Sequence, residues 1–162
     1  MFGPQKGATE AQVTLLTRRL ERLIQVYQAD YGVDVSQIDG AGAAGGLAGG
    51  LVAAGGRIES GFEILAEHIE LDRHLEEASL AITGEGYLDA GSFEGKVVGG
   101  VHRWASSFDV PTVAIVGHRG DGIDLPDGLE VRSLVDQYGM DRATSETQQL
   151  VQTQIQEVLA SR

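Results

Sequence analysis

SLAITGEGYLDAGSFEGKVVGGVHRWASSFDVPTVAIVG, residues 79–117, is the stretch on which the fold turns. SLAIT is a short apolar run stopped at Gly84, which reads as a buried strand. Lys96 to Phe108 has helical spacing, with Val97, Val101 and Trp104 on one face. VPTVAIVG is β-branched, apolar and stopped by glycine, the pattern of a second buried strand. LEVRSLV, from Leu129, reads as a third strand, and Ser145 with Gln148 predicts a capped final helix through Leu159. Strand, helix, strand, strand, helix favours an α/β fold with a mostly parallel sheet and helical crossovers.

Upstream the pattern is helical. Thr9 with Gln12 forms a capping box, and Val13, Leu16, Leu20, Leu23, Ile24 and Tyr27 follow at helical spacing until Gly32. GAGAAGGLAGGLVAAGG, from Gly40, reads as a loop turning into a helix of small residues. Its glycines cost roughly 1 kcal/mol each against alanine, so the helix requires close packing. Ser60 with Glu63 predicts another capped helix, and Asp72 a cap for a short turn through Leu75. The chain therefore reads as parts of two lobes meeting near the loop that follows SLAIT.

Composition limits the function. The 162 residues carry a formal net charge of -12, which repels nucleic-acid backbones and anionic lipid headgroups. The chain has no cysteine, removing disulfides, thiolate metal sites and thiol catalysis, and this fits a reducing cytoplasm. MFGPQKG lacks a signal-peptide core. The uncharged run from Gly40 to Gly56 falls short of the roughly 20 apolar residues of a membrane helix. No membrane and no nucleic-acid partner is expected. The four histidines lack metal-ligand spacing, although His118 follows a strand end.

The loop from Thr83 to Lys96 combines opposite chemistries. Gly95-Lys96 at a helix start suits an anion, through backbone donors and a cation. GSFEGKV is not a P-loop, because only three residues separate Gly91 from Gly95 and Val97 stands where Ser or Thr would hold Mg²⁺. Glu85 and Asp89 lie after the expected strand end, where open α/β sheets bind ligands. Acids beside a phosphate loop make sense if they hold Mg²⁺ or accept a hydroxyl proton. Gly40, Gly42 and Gly45 match G-x-G-x-x-G, but VDVSQID is a poor strand to precede a dinucleotide fingerprint. Close helix packing and another ligand-facing loop remain alternatives for that stretch.

FGPQKGAT at Phe2, GAGAAGGLAGGL at Gly40, and ITGEG-x-LD with a following GK at Ile82 together resemble bacterial glycerate kinases of the first type. That resemblance implies an ATP-dependent kinase acting on a hydroxyl of D-glycerate, with 2-phosphoglycerate favoured over 3-phosphoglycerate as the product. It implies two α/β lobes, one Rossmann-like and assembled from both chain ends, the other inserted between them. Residues 1–85 would then be part of the inserted, helix-rich lobe, and residues 86–162 the C-terminal part of the Rossmann-like lobe. Carried over position by position, it gives phosphate or substrate contact to Lys6, Gly7 and Lys96, and backbone ligand contact to Gly42, Thr83 and Gly84. Metal or proton handling falls to Glu85 and Asp89, with Mg²⁺ as the metal. The family runs about twice this length, so the chain resembles its C-terminal half, and its expected partner is an N-terminal half. Alone it is expected to be inactive, with a homodimer possible through exposed inter-lobe surface. Tyr87 stands where the family commonly has Arg. A non-catalytic binding or assembly module derived from the family is therefore the alternative, and a dinucleotide-binding enzyme a more distant one.

Overall fold

The structure, a computed structural model, describes residues 3–161. The chain divides into two compact units, residues 1–59 and 60–162. Residues 85 and 86 lie inside a continuous strand.

The first unit is helical. A 3-10 turn at Pro4–Lys6 ends at Gly7, whose φ of 83° is left-handed. Helix α1 (Glu10–Tyr31) starts at the expected capping box: the Thr9 N–H donates to Gln12 Oε1 at 2.8 Å, and the Gln12 N–H donates to Thr9 Oγ1 at 3.3 Å. It stops at Gly32, in the left-handed conformation that glycine adopts most readily. Helix α2 (Ala43–Ala53) opens through three residues with positive φ, Ala44, Gly45 and Gly46. The glycines let α2 lie against α1: a Cβ on Gly46 would sit 2.8 Å from Leu20 Cδ2, and one on Gly50 2.8 Å from the Tyr27 hydroxyl. Close packing thus accounts for much of the small-residue run. No strand precedes it among the described residues, so the context of a dinucleotide fingerprint is missing.

The second unit holds the sheet. Helix α3 (Gly61–His68) is capped by Ser60, whose hydroxyl accepts from the Glu63 N–H at 3.4 Å. Helix α4 (Leu71–Glu76) starts from Glu70, so Asp72 lies inside the helix and is not its cap. Strands β1 (Ala81–Leu88), β2 (Thr112–Arg119) and β3 (Leu129–Ser133) form a three-stranded parallel sheet in that order. Helix α5 (Val97–Ser107) makes the crossover between β1 and β2. Both faces of β2 are covered, which is why Thr112 to Val116 are all buried. Ala114 and Val116 pack with Leu88, Val98 and Leu129; Val113 and Ile115 pack with Leu134, Ala143, Leu150 and Val158.

Four details depart from the sequence reading. β1 runs on to Leu88, since pairing continues through Tyr87 with His118 and Leu88 with Arg119. Glu85 is consequently a strand residue, and only Asp89 follows the strand end. On α5 the buried face is Val98, His102 and Ala105, whereas Val97 is 54% exposed. β3 ends at Ser133 because its hydroxyl caps helix α6 (Leu134–Tyr138), accepting from the Asp136 N–H at 3.2 Å. Finally, Ser145 closes helix α7 (Met140–Ser145) and does not open the last helix. Its hydroxyl donates to the Asp141 carbonyl at 2.8 Å, and helix α8 (Thr147–Ala160) begins after Glu146.

Candidate active site

Parallel sheets place their ligand-facing groups at the carboxyl ends of the strands. Thr83, Glu85 and Tyr87 alternate along β1, in register with Ala114, Val116 and His118 of β2. Gly84 and Gly117 set the strand spacing there. A Cβ on Gly84 would lie 2.3 Å from the Ile115 carbonyl oxygen, and one on Gly117 would lie 2.5 Å from that of Gly86. Tyr87 is 52% exposed and meets His118 edge to face, ring centroids 5.5 Å apart. Glu85 Oε1 and His118 Nδ1 are buried without hydrogen-bond partners, polar capacity left unused by the protein itself.

Asp89 stands one residue past β1 and opens a 3-10 turn at Ala90–Phe93. Its N–H donates to Ser92 Oγ at 2.9 Å, the Ser92 hydroxyl donates to Asp89 Oδ1 at 3.3 Å, and Lys96 Nζ donates to the same Oδ1 at 3.3 Å. Ser92 is fully buried, while the Asp89 and Lys96 side chains are each about half exposed. The Lys96 hydrogen bond is the main cause holding the Asp89 carboxyl below its ordinary value, with Ser92 adding to it. Gly91 leaves room for the ion pair, since a Cβ there would come within 3.2 Å of Asp89 Oδ1 and 3.6 Å of Lys96 Nζ. Lys96 is also the N-cap of α5, so the backbone donors of that helix start lie directly after it.

A cleft of about 440 Å³ adjoins this turn, lined by Tyr87, Asp89, Ala90, Phe93 and residues 120–124. Asp121 and Asp124 on the loop after β2 join Asp89 in its wall, acids that the motifs did not single out. Their signal in the sequence was only their place after a strand end. Among the described residues no three of His, Cys, Asp and Glu converge as a metal cage. One or two carboxylates with ligand phosphates is, however, the usual way Mg²⁺ is held, and hard carboxylate oxygens on a shared cleft fit that mode.

The structure thus brings Asp89 and Lys96 into contact, with Thr83, Gly84 and Glu85 on the strand leading to them. Lys6, Gly7 and Gly42 belong to the first unit, where Lys6 is exposed at the end of its 3-10 turn and Gly42 is the exposed N-cap of α2.

A family model described as "Glycerate kinase family" matches residues 1–161. The chain belongs to the glycerate kinase family. It is 37% identical over 146 residues to "Glycerate 2-kinase" of Escherichia coli (strain K12), covering 90% of this chain and 36% of that relative. To "Glycerate kinase" of Haemophilus influenzae it is 39% identical over 126 residues, covering 77% of this chain and 33% of that one. A crystal structure of putative glycerate kinase 2 from Salmonella typhimurium LT2 overlays with a TM-score of 0.64 at 30% identity, covering 99% of this chain and 43% of that one. The chain spans about a third of the length of the sequence relatives just described, in the family's C-terminal half. Among its described residues, no helix is long and apolar enough to cross a membrane.

Proposed function

We propose that this glycerate kinase family chain contributes the C-terminal part of an ATP-dependent kinase that phosphorylates a hydroxyl of D-glycerate, giving 2-phosphoglycerate. The carrying observation is the Asp89–Lys96 pair, held at the carboxyl end of a parallel sheet beside an acid-lined cleft. Phosphoryl transfer is mostly positioning and charge neutralisation, which is what this pair can supply. Lys96 and the α5 start bind phosphate oxygens. Asp89 and Glu85 orient the attacking hydroxyl or hold Mg²⁺, which when bound neutralises phosphate charge. With its carboxyl held low by Lys96, Asp89 is a weak proton acceptor and is better suited to orientation or metal holding than to general-base work. Thr83 and Gly84 offer backbone contacts to the ligand. Lys6, Gly7 and Gly42, taken by themselves, offer ligand contacts on the first unit, and an N-terminal portion of the family's chain, in the cytoplasm, completes the enzyme.

A non-catalytic assembly module is the second reading. It is favoured by exposed apolar side chains on the first unit's helices, Leu15, Leu16, Leu47 and Leu51. These would meet an N-terminal portion or a second copy of the chain. ADP release from MgATP and D-glycerate separates the two readings, using the chain alone and then mixed with the N-terminal portion of a relative. Turnover in the mixture alone is the expected result. Silence in a mixture that demonstrably associates would abandon the kinase reading for the assembly module.

A further inference from the structure

The geometry points to Ser92 as the positioning residue of Asp89, fixing one carboxylate oxygen so that the other is left for the cleft. Its value to turnover rests on the kinase reading above; the positioning itself does not. Ser92 is fully buried, unusual for a hydroxyl in an otherwise glycine-rich and exposed loop. Its one proton is directed at Asp89 Oδ1, at 3.3 Å, while its oxygen accepts from the Asp89 N–H at 2.9 Å. A further bond, from the Ser92 N–H to the Asp89 carbonyl at 2.9 Å, closes the turn.

Lys96 donates to the same oxygen, Oδ1, and Oδ2 takes no protein hydrogen bond among the described residues. Lys96 alone, a flexible point charge, would let the carboxylate rotate to share both oxygens with it. The buried hydroxyl removes that freedom. It is also tied to α5, because Gly99 packs so closely that a Cβ there would lie 2.7 Å from the Ser92 carbonyl oxygen. Ser92 and the helix that starts at Lys96 therefore form one rigid support under Asp89.

The test is the titration of the Asp89 carboxyl carbon by NMR in the 162-residue chain, assigned with Asp89→Asn. The charged and titratable groups around it are Lys96 at the α5 start, Tyr87 on β1, and Asp121 and Asp124 across the cleft. Ser92→Ala should raise the midpoint, and Ser92→Thr should return it towards the parent value. Should Ser92→Ala fail to fold, Ser92→Cys, nearly isosteric and a weaker donor, should still give a raised midpoint. An unchanged midpoint in the folded variant, with only a lowered melting temperature, would make Ser92 a mere turn residue and overturn the proposal. In the mixture with an N-terminal portion, Ser92→Ala should lower kcat about tenfold to a hundredfold, with KM for D-glycerate little changed. Absence of turnover in the parent mixture would sink the kinase reading, while the titration decides Ser92 independently.

Discussion

At the scale of single residues, Gly84 is constrained by a neighbour's backbone. A Cβ 2.3 Å from the Ile115 carbonyl oxygen cannot be relieved by a side-chain rotation, so β1 would have to part from β2. Gly84→Ala should cost about 2–3 kcal/mol in urea unfolding, and a loss below the error of the measurement would mean the strands are not this close. His102 makes a different prediction. It is buried on α5 with Nδ1 unpartnered, and burial depresses its pKa below the ordinary 6.5. A depressed folded value means the unfolded chain binds the proton more readily. The stability is therefore full above the unfolded pKa and is lost as pH falls from there towards the folded one. Melting between pH 7.5 and 5 should drop more steeply in the parent than in His102→Gln; equal slopes would show that the ring stays solvated.

At the scale of elements, the packing of α5 on the Asp89 turn links the fold to the proposed chemistry. Gly99→Ala would place a Cβ 2.7 Å from Phe93 Cα and from the Ser92 carbonyl oxygen, pushing the helix off the turn. Turnover of the complemented chain should fall about tenfold or more, with D-glycerate KM less affected; unchanged turnover would uncouple α5 from Asp89. On the sheet's other face, fully buried Gln154 of α8 donates to the Tyr138 hydroxyl and to Glu157, each at 2.8 Å. Gln154→Ala should lower stability by about 2–3 kcal/mol, since it leaves the Tyr138 hydroxyl unpaired.

The elements also explain what was legible beforehand. α1 could be read because its capping box and closing glycine are local signals, and β2 because burial on both faces makes a continuous apolar run. α6 and α7 could not, being five or six residues long and bounded by Ser133 and Gly139, signals that also read as loop. The end of β1 was hidden by Gly84 and Gly86, which together suggest a loop, although Gly84 serves close pairing with β2. In the site, the motif put Asp89 and Lys96 in one loop, but the ion pair between them was not among its signals. The burial of Ser92 was not, because a serine between Gly91 and Gly95 looks solvated until a helix packs over it.

At the scale of the whole molecule, the two units are stabilised unequally. None of the 22 residues of α1 is buried, whereas every residue from Thr112 to Val116 is. Hydrophobic burial is the main term opposing chain entropy, so the first unit should open at a lower free energy than the sheet. Hydrogen exchange at low denaturant should therefore separate two classes. Amides of α1 should exchange through an opening that leaves β2 protected, and β2 amides only through unfolding of the second unit. The net charge of -12 adds self-repulsion, so moderate salt should slow exchange in both classes. If α1 and β2 amides instead share one opening free energy at every denaturant concentration, the chain unfolds as a single cooperative body. The apolar side chains on α1 would then have found cover within the chain, and the assembly reading would lose the observation that favours it.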